Sequence, residues 1–220
     1  MKKLLLSWLV LLSVNLFAAD SPVGTWEVST KGEDQGYYRF TFGPDNSFTG
    51  YGINRSGDGV DEFSGTWAVS ADDKFIVVTL PPEDEGDSTT TVQLKVKAGS
   101  KISGIVNHEE GSFPLIGRPI GGIPFSMVGN WAVVAKQGRE VSNVTLTFEM
   151  VEQFPGVFMF MDGDGITGVV YVAADGQLRG VDTSEGNSTP MVGKVNFRKN
   201  TFNVNLFNDD GVTKAKGARQ

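Results

Sequence analysis

The sequence predicts an all-β protein: two tandem antiparallel meander β-barrel modules that follow a signal peptide. Three observations predict this fold class. Apolar and polar residues alternate along many short segments, the start of one strand returns near the middle of the chain, and turn-forming residues separate the segments. Helical periodicity is hard to find outside the leader, so we expect strands throughout.

The chain begins with the pattern of a secretory signal peptide, which we place at residues 1–19. Lys2 and Lys3 precede an apolar run, and Ala18 and Ala19 are small residues suited to cleavage. The run is too short to span a membrane and no second run follows it. We therefore expect an exported protein, periplasmic or secreted, and not an integral membrane protein.

The net charge of the chain is acidic. The formal charge is −7, and removal of the leader takes away Lys2 and Lys3 but no acid, which leaves −9. Such a balance opposes binding to nucleic acid and to anionic lipid, because both attract basic surfaces. The chain also has no cysteine, so that its stability depends on a packed core.

Period-two alternation marks the half-buried strands. The segments 91–97 (TVQLKVK), 144–150 (VTLTFEM) and 201–207 (TFNVNLF) each place apolar side chains on one face and polar side chains on the other. This is the pattern of antiparallel strands with one face on a core and one in water.

A repeat divides the chain into two modules. The segment 23–31 (VGTWEVSTK) returns as 128–136 (VGNWAVVAK), and 64–78 aligns without a gap with 167–181. The two matches have the same order and nearly the same spacing, so a single duplication explains both. The duplication is compatible with two separate barrels and with one wide barrel built of both halves.

The repeat and the turn signals give the domain limits. We place the first barrel at residues 20–120 and the second at 121–210, with the join in a segment rich in proline and glycine. We interpret the basic stretch 211–220 as a flexible tail.

The strand start that returns carries Gly-x-Trp each time, at Gly24 and Trp26 and again at Gly129 and Trp131. This motif resembles the first-strand signature of the calycins, the lipocalin-like and avidin-like barrels. The resemblance implies that each Trp is a structural plug across the closed end of its barrel, covered by a basic side chain from the last strand.

The resemblance also suggests which basic residue covers each Trp. Arg118, at the end of the first module, is the candidate to cover Trp26. The second module offers no counterpart for Trp131, because Arg198 and Arg219 are both poorly placed.

The residues needed for catalysis or for a cofactor are scarce. His108 is the single histidine, and no Gly-x-Ser-x-Gly motif is present. Gly-x-Gly-x-x-Gly at 163–168 precedes a β pattern rather than the helix that a dinucleotide site requires. The acidic loop 54–62 starts like a calcium loop but has Gly65 in place of the final glutamate. We therefore expect no enzyme, no cofactor and no metal.

One segment, 154–161 (FPGVFMFM), is apolar on both faces and needs cover on two sides. Under one interpretation it packs on a core and on the neighbouring module. Under the other, one face lines a ligand cavity, where methionine adapts to irregular apolar shapes. The candidate ligand-binding residues are Phe158, Met159, Phe160 and Met161.

Together these observations predict an exported, non-enzymatic binding protein. It either holds a small apolar ligand inside a lipocalin-like barrel, or contacts an envelope or extracellular protein through the acidic loops 54–62 and 81–87. The sequence does not favour one alternative over the other.

Overall fold

The computed structural model describes residues 20–31, 35–53, 59–82, 88–97, 99–108, 111–120, 126–163, 165–184 and 188–220. Every regular element in these ranges is a β-strand. None of them forms a helix long and apolar enough to cross a membrane. The predicted leader lies outside the described residues.

The first eight strands form a closed antiparallel barrel in which each strand pairs with the next and the last pairs with the first. Its strands are β1 (Gly24–Thr30), β2 (Tyr37–Phe42), β3 (Ser47–Ile53), β4 (Asp61–Val69), β5 (Ile76–Leu80), β6 (Thr90–Lys97), β7 (Lys101–His108) and β8 (Gly111–Pro119).

The second barrel has the same plan, with β9 closing against β16. Its strands are β9 (Gly129–Gln137), β10 (Glu140–Met150), β11 (Val157–Asp162), β12 (Gly165–Val172), β13 (Gln177–Asp182), β14 (Thr189–Asn196), β15 (Thr201–Asn208) and β16 (Gly211–Arg219). The predicted fold class is confirmed, and the alternative of one wide barrel is wrong.

The predicted flexible tail is the closing strand of the second barrel. Residues Gly211–Arg219 form β16, which pairs with β15 on one side and β9 on the other. The limit at residue 210 is therefore wrong. The alternation was hard to see because the inward-facing residues Thr213, Ala215 and Gly217 are small, while exposed lysines lie between them.

The two barrels share their register as well as their strand order. Val28 lies opposite Gly117 where the first barrel closes, and Val133 lies opposite Gly217 where the second closes. The second pair of repeated segments falls on β4–β5 and β12–β13, which are the fourth and fifth strands of their barrels. The sequence repeat corresponds to equivalent positions on β4 and β12, but Val69 pairs with Ile76 whereas Val172 pairs with Leu178. The gap-free alignment is therefore wrong by one residue on β5 and β13.

The two Gly-x-Trp motifs adopt the same local structure. Gly24 and Gly129 have φ of 126° and 120°, a region that disfavours any side chain. Trp26 and Trp131 are both buried, and each indole Nε1 donates a hydrogen bond to the carbonyl oxygen four residues earlier, at 2.7 and 2.8 Å. Each indole therefore lies in the core with its polar atom satisfied.

The basic residues near the two Trp side chains differ from the expectation. Arg118 is exposed and pairs with Glu27, on the outer face of the first barrel, so it does not cover Trp26. Arg219 pairs with Trp131, and its guanidinium donates a hydrogen bond to the carbonyl oxygen of the residue that precedes Gly129. The expectation is wrong for both arginines: the register of β8 turns Arg118 outward, and residues 211–219 form a closing strand that brings Arg219 opposite Trp131.

Each barrel has its own apolar core. In the first, Phe40, Phe42 and Phe48 form edge-to-face contacts with centroid distances of 5.0 to 5.2 Å. In the second, Trp131 packs against Phe202 at 5.4 Å. Such aromatic pairs add to the stabilisation from burial alone.

A third apolar cluster joins the barrels. The outer face of β3 meets the outer faces of β11, β12 and β13 in the second barrel, and Tyr51 donates its O–H to the carbonyl oxygen of Pro155 at 2.9 Å. The fully buried members of this cluster are Ile53, Val157, Tyr171, Ala173 and Val181.

Polar contacts surround that cluster. Glu27, Arg39 and Tyr51 form a row across β1, β2 and β3 on the outside of the first barrel. The Glu27 carboxylate accepts hydrogen bonds from the Tyr171 hydroxyl and the Ala174 backbone N–H, both at 2.9 Å. A side chain of one barrel thereby fixes a turn of the other.

Burial shifts the pKa values of two groups at this interface. It raises the pKa of Glu27 above its ordinary 4.5, although hydrogen bonds from Ala174 and Tyr171 and the charge of Arg39 oppose the shift. Burial also raises the pKa of the Tyr171 hydroxyl, and the Glu27 charge adds to that rise. Tyr171 therefore stays protonated and serves as a donor.

A second arginine strengthens the junction. Arg179, on the outer face of β13, donates from Nη1 to the carbonyl oxygen of Gln35 at 2.9 Å. Its guanidinium also lies over the ring of Tyr37, 5.2 Å from the centroid. Apolar packing and these directional contacts together hold the barrels in one arrangement.

Candidate functional site

The lumen of the second barrel contains a cavity of about 340 Å³. It lies at the end of the barrel away from Trp131, because its rim is formed where β9, β11, β13 and β15 end. Apolar side chains line its deep part: Phe148, Phe160, Val170, Met191, Phe202 and Val204. Polar side chains line its mouth: Gln137, Ser142, Asp162, Asp182, Ser184, Thr189, Asn208 and Thr213.

Small residues on three neighbouring strands leave this space open. Ala135 on β9 lies opposite Ser142 on β10 and opposite Ala215 on β16. All three line the cavity. A larger side chain at any of these positions would fill the lumen, since inward-facing residues of an eight-stranded barrel meet near its axis.

The first barrel has larger side chains at two of the equivalent positions. Thr30 lies opposite Leu115 where β1 meets β8, and Ala135 lies opposite Ala215 where β9 meets β16. Leu115 is buried in the core of the first barrel. The closing wall of the first lumen is thus thicker by one leucine side chain.

Two further equivalent positions follow the same trend. Tyr38 pairs with Val28 as Val144 pairs with Val133. Phe113 lines the first lumen two residues before Leu115, at the level of Thr213 in the second barrel. The cavity that remains in the first barrel is about 200 Å³.

The mouth of the second lumen carries two carboxylates. Asp162 is the last residue of β11 and Asp182 is the last residue of β13, and both side chains are half-buried. Asp182 accepts a hydrogen bond from the Ser184 backbone N–H at 2.9 Å, which orients the carboxylate. The cavity is therefore apolar in its depth and acidic at its mouth.

The structure separates the four predicted ligand-binding residues. Phe158 and Phe160 point into the second barrel, where both belong to the core and Phe160 also lines the cavity. Met159 and Met161 are half-buried on the outer face of β11. Val157, on that same outer face, packs in the cluster between the barrels. Of the four, the structure brings Phe160 to the site.

The predicted acidic loops lie largely beyond what the structure describes. Residues 54–58 and 83–87 are outside the described residues, and so is the side chain of His108. Within the described ranges, no three His, Cys, Asp or Glu side chains group as metal ligands.

Comparison with known proteins gives no relative to guide the assignment. No protein-family model matches the chain, and no curated protein matches it. The geometry of the lumen is therefore the main basis for a functional argument.

The sequence patterns did not predict the acidic mouth of the cavity or the small residues in its wall. Ala135, Ala215 and Ser142 carry no chemical signal, and Asp162 and Asp182 resemble the acids of ordinary turns. One signal was present: once the two repeats are aligned by strand register, the second copy has the smaller residue in place of Thr30, Tyr38, Phe113 and Leu115, although Ser142 is larger than its counterpart Gly36.

Proposed function

We propose that this protein is an exported, non-enzymatic carrier that holds a small apolar ligand in the lumen of its second barrel. The observation that carries the proposal is the cavity of about 340 Å³ with its apolar depth. An eight-stranded barrel is wide enough for one small ligand when its interior is not filled by side chains.

The volume supports a ligand of modest size. Ligand sites in proteins are commonly about 300–1,000 Å³, and an apolar cavity of about 150 Å³ is sufficient for benzene. The second lumen lies within the first range, whereas the first lumen, at about 200 Å³, lies below it and has room for a benzene-sized molecule at most. The proposal therefore assigns binding to the second barrel and a structural role to the first.

Two features of the sequence support export and the carrier class. The N-terminal pattern is that of a leader, so we place the protein in the periplasm or outside the cell. The Gly-x-Trp motifs resemble those of lipocalin-like barrels, and Arg219 lies beside Trp131 as the resemblance implies for a last-strand basic residue.

The test is to close the lumen from one wall. Ala135→Phe places a ring inside the second barrel, and Ala132→Phe places the same ring on the exposed outer face of the same strand. The probe is N-phenylnaphthylamine, a neutral apolar fluorophore, titrated into the full-length protein. We expect saturable binding by the wild type, a loss of at least roughly tenfold in affinity for Ala135→Phe, and unchanged affinity for Ala132→Phe.

A second variant tests the same lumen if Ala135→Phe does not fold. Ala215→Leu copies the residue that the first barrel has at the equivalent position, and it should weaken probe binding in the same way. Thermal melting of all variants checks the fold. Absence of probe binding to the wild type, or full binding by a folded Ala135→Phe, would overturn the proposal.

A further inference from the structure

We infer that the ligand of the second barrel is a cationic amphiphile, with an apolar body in the lumen and an amine or related cation at the mouth. This inference rests on the proposed carrier function and adds the chemistry of the ligand to it. It comes from the difference between the two ends of the cavity.

The depth of the cavity offers a ligand only apolar contact. Phe148, Phe160 and Phe202 are buried there together with aliphatic side chains. A polar headgroup placed at that depth would lose its hydrogen bonds to water without replacement, which is costly. The ligand must therefore enter with its apolar part first.

The mouth offers negative charge. Asp162 and Asp182 both line the cavity, and one strand, β12, separates them. Among the described residues that line the cavity, no lysine or arginine accompanies them. A cation at the mouth is attracted by both carboxylates, whereas an anion is repelled by both.

The surroundings of the mouth do not reverse this sign. Lys136 and Lys214 alternate with the inward-facing residues of β9 and β16, so their side chains lie on the outer face. Among the described residues in the turns at this rim and beside them, the charged ones are Arg139, Glu140, Asp209 and Asp210, which add more negative than positive charge.

The partial burial of the two aspartates makes their charge effective. Interactions between charges are stronger near an apolar interior than in water, because the local dielectric constant is lower. Exposed pairs contribute at most about 1 kcal/mol, so half-buried pairs are expected to reach or exceed that value. With both carboxylates attracting one cation, we expect a roughly tenfold preference for an amine over a neutral headgroup, which corresponds to about 1.4 kcal/mol.

The experiment compares three ligands that share one apolar chain. Octylamine, octanol and octanoate are titrated into the full-length protein at neutral pH and low salt by isothermal titration calorimetry. We expect octylamine to bind roughly tenfold more tightly than octanol, and octanoate to bind more weakly than octanol. Added salt should lower the affinity for octylamine and leave that for octanol nearly constant.

A matched pair of variants tests the origin of the preference. Asp162→Asn with Asp182→Asn removes both carboxylates from the mouth and should bring the octylamine-to-octanol affinity ratio close to one. Asp73→Asn with Glu152→Gln removes the same number of charges from exposed turns away from the mouth and should keep the wild-type ratio.

The outcomes separate this inference from the carrier proposal. Octanoate binding as tightly as octylamine, or a preference that is independent of salt, would overturn the cationic ligand while octanol binding leaves the carrier function supported. An unchanged octylamine-to-octanol affinity ratio in the folded Asp162→Asn, Asp182→Asn variant would likewise overturn the cationic ligand. Failure of all three ligands to bind would overturn both proposals.

Discussion

In the part of the first lumen that lies away from Trp26, the side chains of Tyr38 and Phe113 line the wall, whereas the second barrel has Val144 and Thr213 at the corresponding positions. Strand order, closure register and the position of the buried Trp are the same in both. Two copies of one backbone thus differ mainly in the size of a few inward-facing side chains. The comparison teaches that a small set of substitutions changes how much free volume the interior of a barrel retains.

The largest expected effect comes from hollowing the first barrel. Leu115→Ala removes a side chain that is 1% exposed and should lower the free energy of unfolding by about 2–5 kcal/mol. Urea unfolding followed by tryptophan fluorescence measures the loss.

The reciprocal variant Ala215→Leu sharpens this comparison. It adds the same side chain to the second barrel, where the cavity can accept it, so it should leave stability unchanged or raise it. A loss of several kcal/mol from Ala215→Leu would mean that the second lumen is already filled, and would break the proposed difference.

The second-largest expected effect concerns the glycine that begins the first strand of each barrel. Gly24→Ala and Gly129→Ala each force a side chain into a φ that disfavours it, and should each cost about 1–2 kcal/mol. Neither new Cβ would approach another atom closely, since the nearest is the Arg219 guanidinium at 3.6 Å from position 129.

The matched control for these glycine variants is Gly59→Ala. That position has open space around it and no unusual φ, so the substitution should cost little. Differential unfolding measurements compare the three variants, and clearly unequal losses at positions 24 and 129 would argue against equivalent strand starts.

The smallest expected effect concerns the junction between the barrels. Because burial raises the folded-state pKa of Glu27 above 4.5, the folded state binds that proton more tightly than the unfolded state. The stability that this residue contributes is complete below 4.5 and is lost as the pH rises through the raised value. Glu27→Gln does not titrate and should gain stability relative to the wild type over that rise.

Urea unfolding at a series of pH values checks the sign. Tyr171→Phe removes a hydrogen bond that lowers the pKa of Glu27, so it should move the transition to higher pH. If the free energy of unfolding of Glu27→Gln instead falls relative to that of the wild type as the pH rises, the folded state holds the Glu27 carboxylate in its charged form.

The fold could be predicted from the sequence because its signals are local. Alternation along a strand depends on neighbouring side chains, and Gly-x-Trp marks a backbone that needs glycine and an indole that needs burial. The closing strand β16 escaped prediction because Ala215 and Gly217 are too small to give an apolar face.

The site could be predicted only in part because it depends on contacts between distant strands. The two-sided apolar segment 154–161 pointed to β11, and Phe160 lies in the cavity wall. Whether Ala135 faces a lumen or water follows from barrel closure, which no single strand encodes. Glu27 likewise has the pattern of an ordinary exposed residue until the second barrel covers it.

Closure of each meander has a consequence for how such a chain is assembled. Because β1 lies beside β8 and β9 beside β16, the polypeptide enters and leaves each unit at adjacent points. Copying the coding segment head to tail therefore needs only a brief linker and leaves every hydrogen-bonded ladder intact. Once copied, either unit is free to diverge inside while the other preserves the scaffold.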